Sequence, residues 1–176
     1  VNRYDKYDFK YNSTLATLLV GANEDDGFFI GGGPVMVRHS FRKAPYASLN
    51  RIRAASSARF QAYTVLYEGH LVDVTGLWDL DLAGEIRSPN SIRNFFGLGN
   101  ETSNVRLNSE YYQARLAKYG AFAGLRRGLN PVSFASLGAF IEAHHVREDN
   151  GRFVTQAGIS PSTFEDQAHA GVRGEL

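Results

Sequence analysis

The chain has 176 residues, 43% of them hydrophobic and 21% charged, which is enough for one cored domain and too apolar for global disorder. A formal net charge of +1 leaves no electrostatic footprint for nucleic acid, and the absence of cysteine excludes disulfides and thiolate metal or redox sites. No apolar run approaches the roughly 18 residues of a membrane helix, whereas 12 Phe, 9 Tyr and 18 Gly lean towards β structure.

Val1 opens the chain without a signal-peptide pattern, so it reads as a mature or excised piece of something longer. Residues 1–13 mix Tyr, Asp, Lys and Asn without a period and read as an entry segment. Residues 14–176 read as one β-rich unit. Thr14 to Ala22 forms a first strand, and the turn residues of Asn23-Glu24-Asp25-Asp26-Gly27 lead into a second from Phe28 to about Phe41. Gly31-Gly32-Gly33-Pro34 interrupts that strand and suggests a bulge or a close backbone approach. After a loop containing Pro45, the segment 50–59 sets Arg51, Arg53 and Arg59 against Ile52, Ala54 and Ala58. A sharp turn joins it to a strand with Tyr63, Val65 and Tyr67 on one parity and Thr64, Glu68 and His70 on the other.

The stretch Leu77 to Ile86 is the most legible part of the chain. Trp78, Leu80, Leu82 and Ile86 share one side of a period-2 pattern, and Asp79, Asp81 and Glu85 share the other. Ser88 to Ser109 follows as a long irregular segment, with Phe95 and Phe96 as candidate anchors folded over or into a barrel. Glu110 to Lys118 and Tyr119 to Arg127 read as two strands, and Val132 to His145 as another. Residues 147–166 form a second long loop, and Gln167 to Leu176 a last strand. The sum is an antiparallel, all-β chain of about eight or nine strands.

Alternation alone does not say which face meets what. A soluble lipocalin-like barrel puts the apolar parity inside, and a membrane barrel puts it against lipid. Strands of about ten residues, Tyr and Trp near strand ends, and charges in runs on one parity favour the transmembrane barrel. Trp78, Leu80, Leu82 and Ile86 would then face lipid. Arg51, Arg53, Arg59, Glu68, Asp79, Asp81 and Glu85 would line the lumen wall, with the arginines pairing the acids two strands on. A charge at Leu80 is expected to cost roughly 2–4 kcal/mol near the midplane.

Asn23 to Gly33, then Phe41-Arg42-Lys43-Ala44-Pro45-Tyr46, and above all Asn94-Phe95-Phe96-Gly97-Leu98-Gly99-Asn100-Glu101-Thr102 carry a family resemblance. The chain resembles the bacterial surface-antigen barrel of the outer-membrane assembly-factor (BamA-type) superfamily. It is most similar to barrels that follow a calcineurin-like metallophosphoesterase domain. The resemblance implies a bacterial outer-membrane barrel of about sixteen strands, with this chain as its N-terminal portion. It also implies a periplasmic domain or other complex subunits as partners, beside outer-membrane lipid. No phosphoesterase metal motif is present, so that activity does not carry over. The lid-loop pattern Val-Arg-Gly-aromatic is matched only as Val172-Arg173-Gly174-Glu175.

No catalytic, cofactor or metal residue is assigned. The acids could bind a cation, but a salt-bridged wall is the simpler reading. His144 and His145 point to opposite faces of a strand and cannot chelate together. The triple glycine lacks the helix and Lys-Ser/Thr pattern of a phosphate loop. The expected function is a membrane anchor or conduit, in protein or lipid insertion or translocation. The alternatives are a soluble barrel that binds an apolar ligand, or an outer-membrane enzyme.

Overall fold

A computed structural model describes residues 10–23, 27–59, 61–97, 109–130 and 132–176. Tyr4, Tyr7 and Phe9 of the entry segment, the tip of the first turn and the Leu98 to Thr102 part of the resemblance motif lie outside those residues.

The fold is all-β and antiparallel. Its strands are β1 (Ser13–Asn23), β2 (Gly27–Arg38), β3 (Ser48–Ser57), β4 (Ala62–Leu71), β5 (Asp79–Arg87), β6 (Ile92–Asn94), β7 (Gln113–Asn130), β8 (Ser133–Val146) and β9 (Gln167–Glu175). They form a meander in the order β1-β2-β3-β4-β5-β7-β8-β9, and the short β6 pairs the start of β7. The sheet is open, with β1 and β9 as its two edges. A four-residue helix, α1 (Phe153–Gln156), and 3-10 turns at Ser109–Tyr112 and Pro161–Phe164 complete it.

Two expectations about segmentation are corrected. Glu110 to Lys118 and Tyr119 to Arg127 do not make two strands: β7 runs unbroken for 18 residues, and Leu116 to Gly128 pair continuously with Val146 to Phe134. Gly120 carries no turn partner, and a lone glycine weakens a strand by roughly 0.5–1 kcal/mol without ending it. Nor does the triple glycine make a bulge, since β2 keeps one register against β1 and against β3. It marks a close approach instead. A Cβ at Gly31 would collide with the Ala54 carbonyl oxygen, one at Gly32 with that of Thr17, and one at Gly33 with that of Ile52.

Alternation gives the sheet two unlike faces. One carries Arg51, Arg53, Glu68, His70, Asp79, Asp81, Glu85, Lys118, Arg126 and Glu142. The other carries Leu18, Ile30, Ile52, Val65, Leu82, Ala123, Ile141 and Val172. Along β7 and β8 the apolar parity is the more exposed one, with Ile141 at 58%, whereas Ile52, Val65, Leu80 and Leu82 of β3 to β5 are half-buried. Along β7 the apolar-face Tyr119, Ala121, Ala123 and Leu125 are exposed, while Lys118, Gly120, Phe122, Gly124 and Arg126 between them are covered. Edge strand β1 differs, because Leu15 and Leu19 leave its charged-face parity apolar and exposed too.

The charged face curls into a trough. A cavity of about 330 Å³ is lined by both Arg51 of β3 and Arg173 of β9, and strands five places apart would lie roughly 24 Å apart on a flat sheet. Aromatic rings seat on glycines along this face, where a Cβ at Gly124 or Gly138 would lie 2.6 Å from the Phe122 ring. Phe140 covers Gly171 in the same way. Such pairs protect the bare backbone and pin the register.

Apart from Val72 in the opposite turn, the buried apolar side chains among the described residues gather at one end of the sheet. Tyr112 (4% exposed), Ala114, Ala117 and Val154, with Ala62 nearby, form a small core beside the excursions at residues 88–97 and 109–112 and at 147–166. This is the capped end. The opposite, turn end carries residues 39–47, the Val72 to Trp78 turn and the short β7–β8 connection.

Candidate functional site

The charged wall is built from three adjoining groups. Glu68 accepts from Arg53 Nη2 at 2.7 Å and from Arg51 Nη1 at 3.3 Å. Register explains this, because Arg51 lies directly opposite Glu68 on β4 and Arg53 one pleat further along the same face. At the turn end, Asp81 takes His70 Nδ1 at 2.6 Å through Oδ1 and Arg126 Nε at 2.9 Å through Oδ2. Asp79 lies 3.6 Å from His70 Nε2 and accepts the Asp73 backbone N–H at 2.8 Å. Towards the capped end, Glu85 takes Arg87 Nε at 2.5 Å and Lys118 Nζ at 3.3 Å, and Lys118 also reaches Glu142 at 3.1 Å.

The acids of β5 therefore do not pair with the arginines two strands earlier. Glu68 stands between and takes both. The side chains that face the β5 acids come from β4 (His70), from β7 (Arg126, Lys118) and from β5 itself (Arg87). Sequence reasoning missed Arg126 and Lys118 because splitting β7 hid its register against β5, and it placed His70 on the Glu68 parity without the register that sets it opposite Asp81. Arg59 lies past the end of β3 and joins the cap through Glu110 Oε1 at 3.0 Å.

Above the turn end of the trough, the Tyr46 ring meets His70 edge-on, 5.8 Å between centroids. Burial, and then the Asp79 and Asp81 carboxylates, push the Tyr46 phenol up from its ordinary 10.0, against a smaller opposing effect of Arg126. Lys43 closes the same end by donating to the Val72 and Asp73 carbonyls at 2.7 and 3.2 Å. Both ring nitrogens of His70 face carboxylates, so among the described residues it holds no hydroxyl nucleophile. Among the described residues no group of three or more His, Asp or Glu is arranged to hold a metal ion.

On the apolar face, Leu80 lies opposite Leu125, Leu82 opposite Ala123 and Ile86 opposite Tyr119. Trp78 sits one residue before β5, under the Arg127 guanidinium at 5.7 Å from the ring centroid. Asn50 is polar on this face, but its Oδ1 accepts from the Tyr67 hydroxyl at 2.8 Å.

Phe95 and Phe96 enter the cap. Phe95 packs on Phe153 at 6.0 Å and Phe96 on Tyr112 at 5.2 Å between centroids. Tyr111 and Tyr112 also contact Phe153, at 5.6 and 5.4 Å. The two excursions are further tied by Arg152 to the Glu110 carbonyl, and Asp149 faces Arg115 of β7 at 3.6 Å and Arg147 at 3.0 Å. Ser88 clamps the end of β4, accepting the Tyr63 N–H at its hydroxyl and donating its own N–H to the Tyr63 carbonyl, each at 2.9 Å. Neither Ser88 nor Phe153 was marked by the sequence pattern, since both sit in aperiodic segments.

Comparison with known proteins finds no matching family model, no matching curated protein and no matching solved structure.

Proposed function

We propose that this chain is the membrane-embedded portion of an outer-membrane β-barrel, serving as anchor or conduit for an attached domain or for polypeptide or lipid passage. The observation that carries the reading is the inverted exposure of the sheet. Leu18, Ile30, Ile86, Leu137, Ile141 and Val172 all stand exposed on one face. Burying such a side chain is worth about 1.5–3 kcal/mol, so leaving these six in water would forgo an amount comparable with a domain's whole stability of about 5–15 kcal/mol. An apolar surroundings removes that penalty. The soluble-barrel alternative needs the apolar parity inside, whereas the trough carries the charged one.

Four rows of apolar-face residues, from Leu80 to Ile86, span roughly 20 Å at about 3.4 Å per residue, close to the ~25 Å apolar band of membrane barrels. The longer excursions share the capped end, and β1 starts at the turn end. Membrane barrels keep short turns on the periplasmic side and long loops outside, which orients the turn end inward. Unpaired edges are not tolerated in hydrocarbon, so further strands are expected beside β1 and β9. The surface-antigen resemblance is compatible with such a larger barrel and with bacterial outer-membrane location.

The test is depth-dependent. Leu80, expected from the sequence near the midplane, lies instead in the apolar row nearest the turn end, and Ile141 lies in the middle of the rows. Ile141→Arg is expected to abolish stable association of the full chain with lipid vesicles, costing about 2–4 kcal/mol, and Leu80→Arg to cost about 0–1 kcal/mol. Equal, negligible effects in a chain that stays monomeric without detergent would refute the membrane reading.

A further inference from the structure

At the turn end the apolar face stops against arginines that lack acids. Arg126 points into the trough and is neutralised by Asp81 at 2.9 Å. Its neighbour Arg127 points the other way, is exposed, and has no carboxylate partner among the described residues. Its guanidinium rests over Trp78 instead, 5.7 Å from the ring centroid. Arg38 ends β2 on the same face, also exposed and without an acid among the described residues. In the next loop Arg42 lies over Phe41 at 4.9 Å.

Around these cations the turn end exposes large apolar side chains: Phe41 at 82%, Val132 at 91%, and Leu77 and Leu129. The capped end is different. There Arg59 and Arg147 are matched by Glu110 and Asp149 and Tyr112 is buried against Phe153, although Arg93, Phe28 and Tyr63 stand exposed. A rim that combines apolar tips, an indole and unneutralised guanidinium groups suits the boundary between hydrocarbon and anionic headgroups. The guanidinium fork matches phosphate oxygens through paired hydrogen bonds.

We infer that Trp78 and Arg127 form a seat for the phosphate of a phospholipid headgroup at the turn-end rim, with the indole at the level of the headgroup. The seat rests on the membrane reading proposed above. Lipid rather than free phosphate is the occupant because the exposed apolar side chains beside it need hydrocarbon.

Trp78 is the single tryptophan of the chain, so its emission reports on this seat alone. The full chain would be reconstituted into phosphatidylcholine vesicles with and without phosphatidylglycerol, using lipids brominated either near the headgroup or near the chain end. Expected are stronger quenching by the headgroup-proximal bromines and a blue shift of emission on adding phosphatidylglycerol. Arg127→Gln should lose that shift while its flotation with vesicles is unchanged. Quenching of Trp78 by aqueous iodide and not by brominated lipid, in a chain that floats with vesicles, would overturn the seat and spare the membrane reading. An unchanged shift in Arg127→Gln, or the same shift from inorganic phosphate in lipid-free detergent, would overturn it equally. A chain that never floats would overturn both.

Discussion

The sheet body and the cap at its end bury opposite things. In the cap, Tyr112, Phe153 and Val154 pack together, with the charges of Arg59, Glu110, Asp149 and Arg152 outside them. In the body, the charges line the trough, and Leu137, Ile141 and Val172 stand outside. One chain thus holds two solutions to the hydrophobic effect. On the proposed reading the cap faces water on its outside, and the body faces an apolar medium on one side and water in its trough. The boundary falls within β7, whose first residues pair with β6 in the cap and whose later ones pair with β5 in the body.

Substitutions that treat the two regions alike should have unlike effects. The largest is expected in the cap: Tyr112→Ala leaves a cavity among Phe96, Tyr111 and Phe153 and should cost about 3–5 kcal/mol. Limited proteolysis would then cut the 88–112 and 147–166 excursions while vesicle association persists. If association were lost as well, the cap and the body would be one cooperative unit and the contrast would fail. Ile141→Arg comes next, at about 2–4 kcal/mol, with its effect on association and not on protease cutting in the cap.

Within the trough, Glu68→Gln should cost only about 0.2–1 kcal/mol where water screens the pair, since both arginines and Glu68 are about half exposed. Urea titration of the folded chain would read it. A loss of several kcal/mol would mean that the trough is dry. The smallest effect is at Tyr46. Its folded pKa is raised, so the unfolded chain ionises first, and stability is complete below 10.0 and falls as pH rises from there through the folded value. Tyr46→Phe should remove that alkaline loss, and a phenolate absorbance titration would locate it.

The body was legible in sequence because alternation survives whichever medium covers a face. Trp78, Leu80, Leu82 and Ile86 separate from Asp79, Asp81 and Glu85 by parity alone. What covers each face is not a property of parity, and the ion pairing is not either. Glu68 intercepts Arg51 and Arg53 because it is one strand away and the β5 acids are two. The division read between Lys118 and Tyr119 falls inside one strand, because nothing beside it supplies a turn. The cap was the least legible region. Its contacts join residues far apart in aperiodic segments, such as Phe95 with Phe153 and Tyr111 with Gln156, and no local period encodes those.

The central claim is that the apolar face is the one out of water. The chain has no cysteine, so single cysteines placed along Ala135 to His144 of β8 would be the only thiols and could be spin-labelled in vesicles. The account predicts a period of two, with oxygen reaching 137, 139 and 141 best and a water-soluble nickel chelate reaching 136, 138, 140 and 142 best. A nickel chelate that reached 137, 139 and 141 as readily as their neighbours would contradict it.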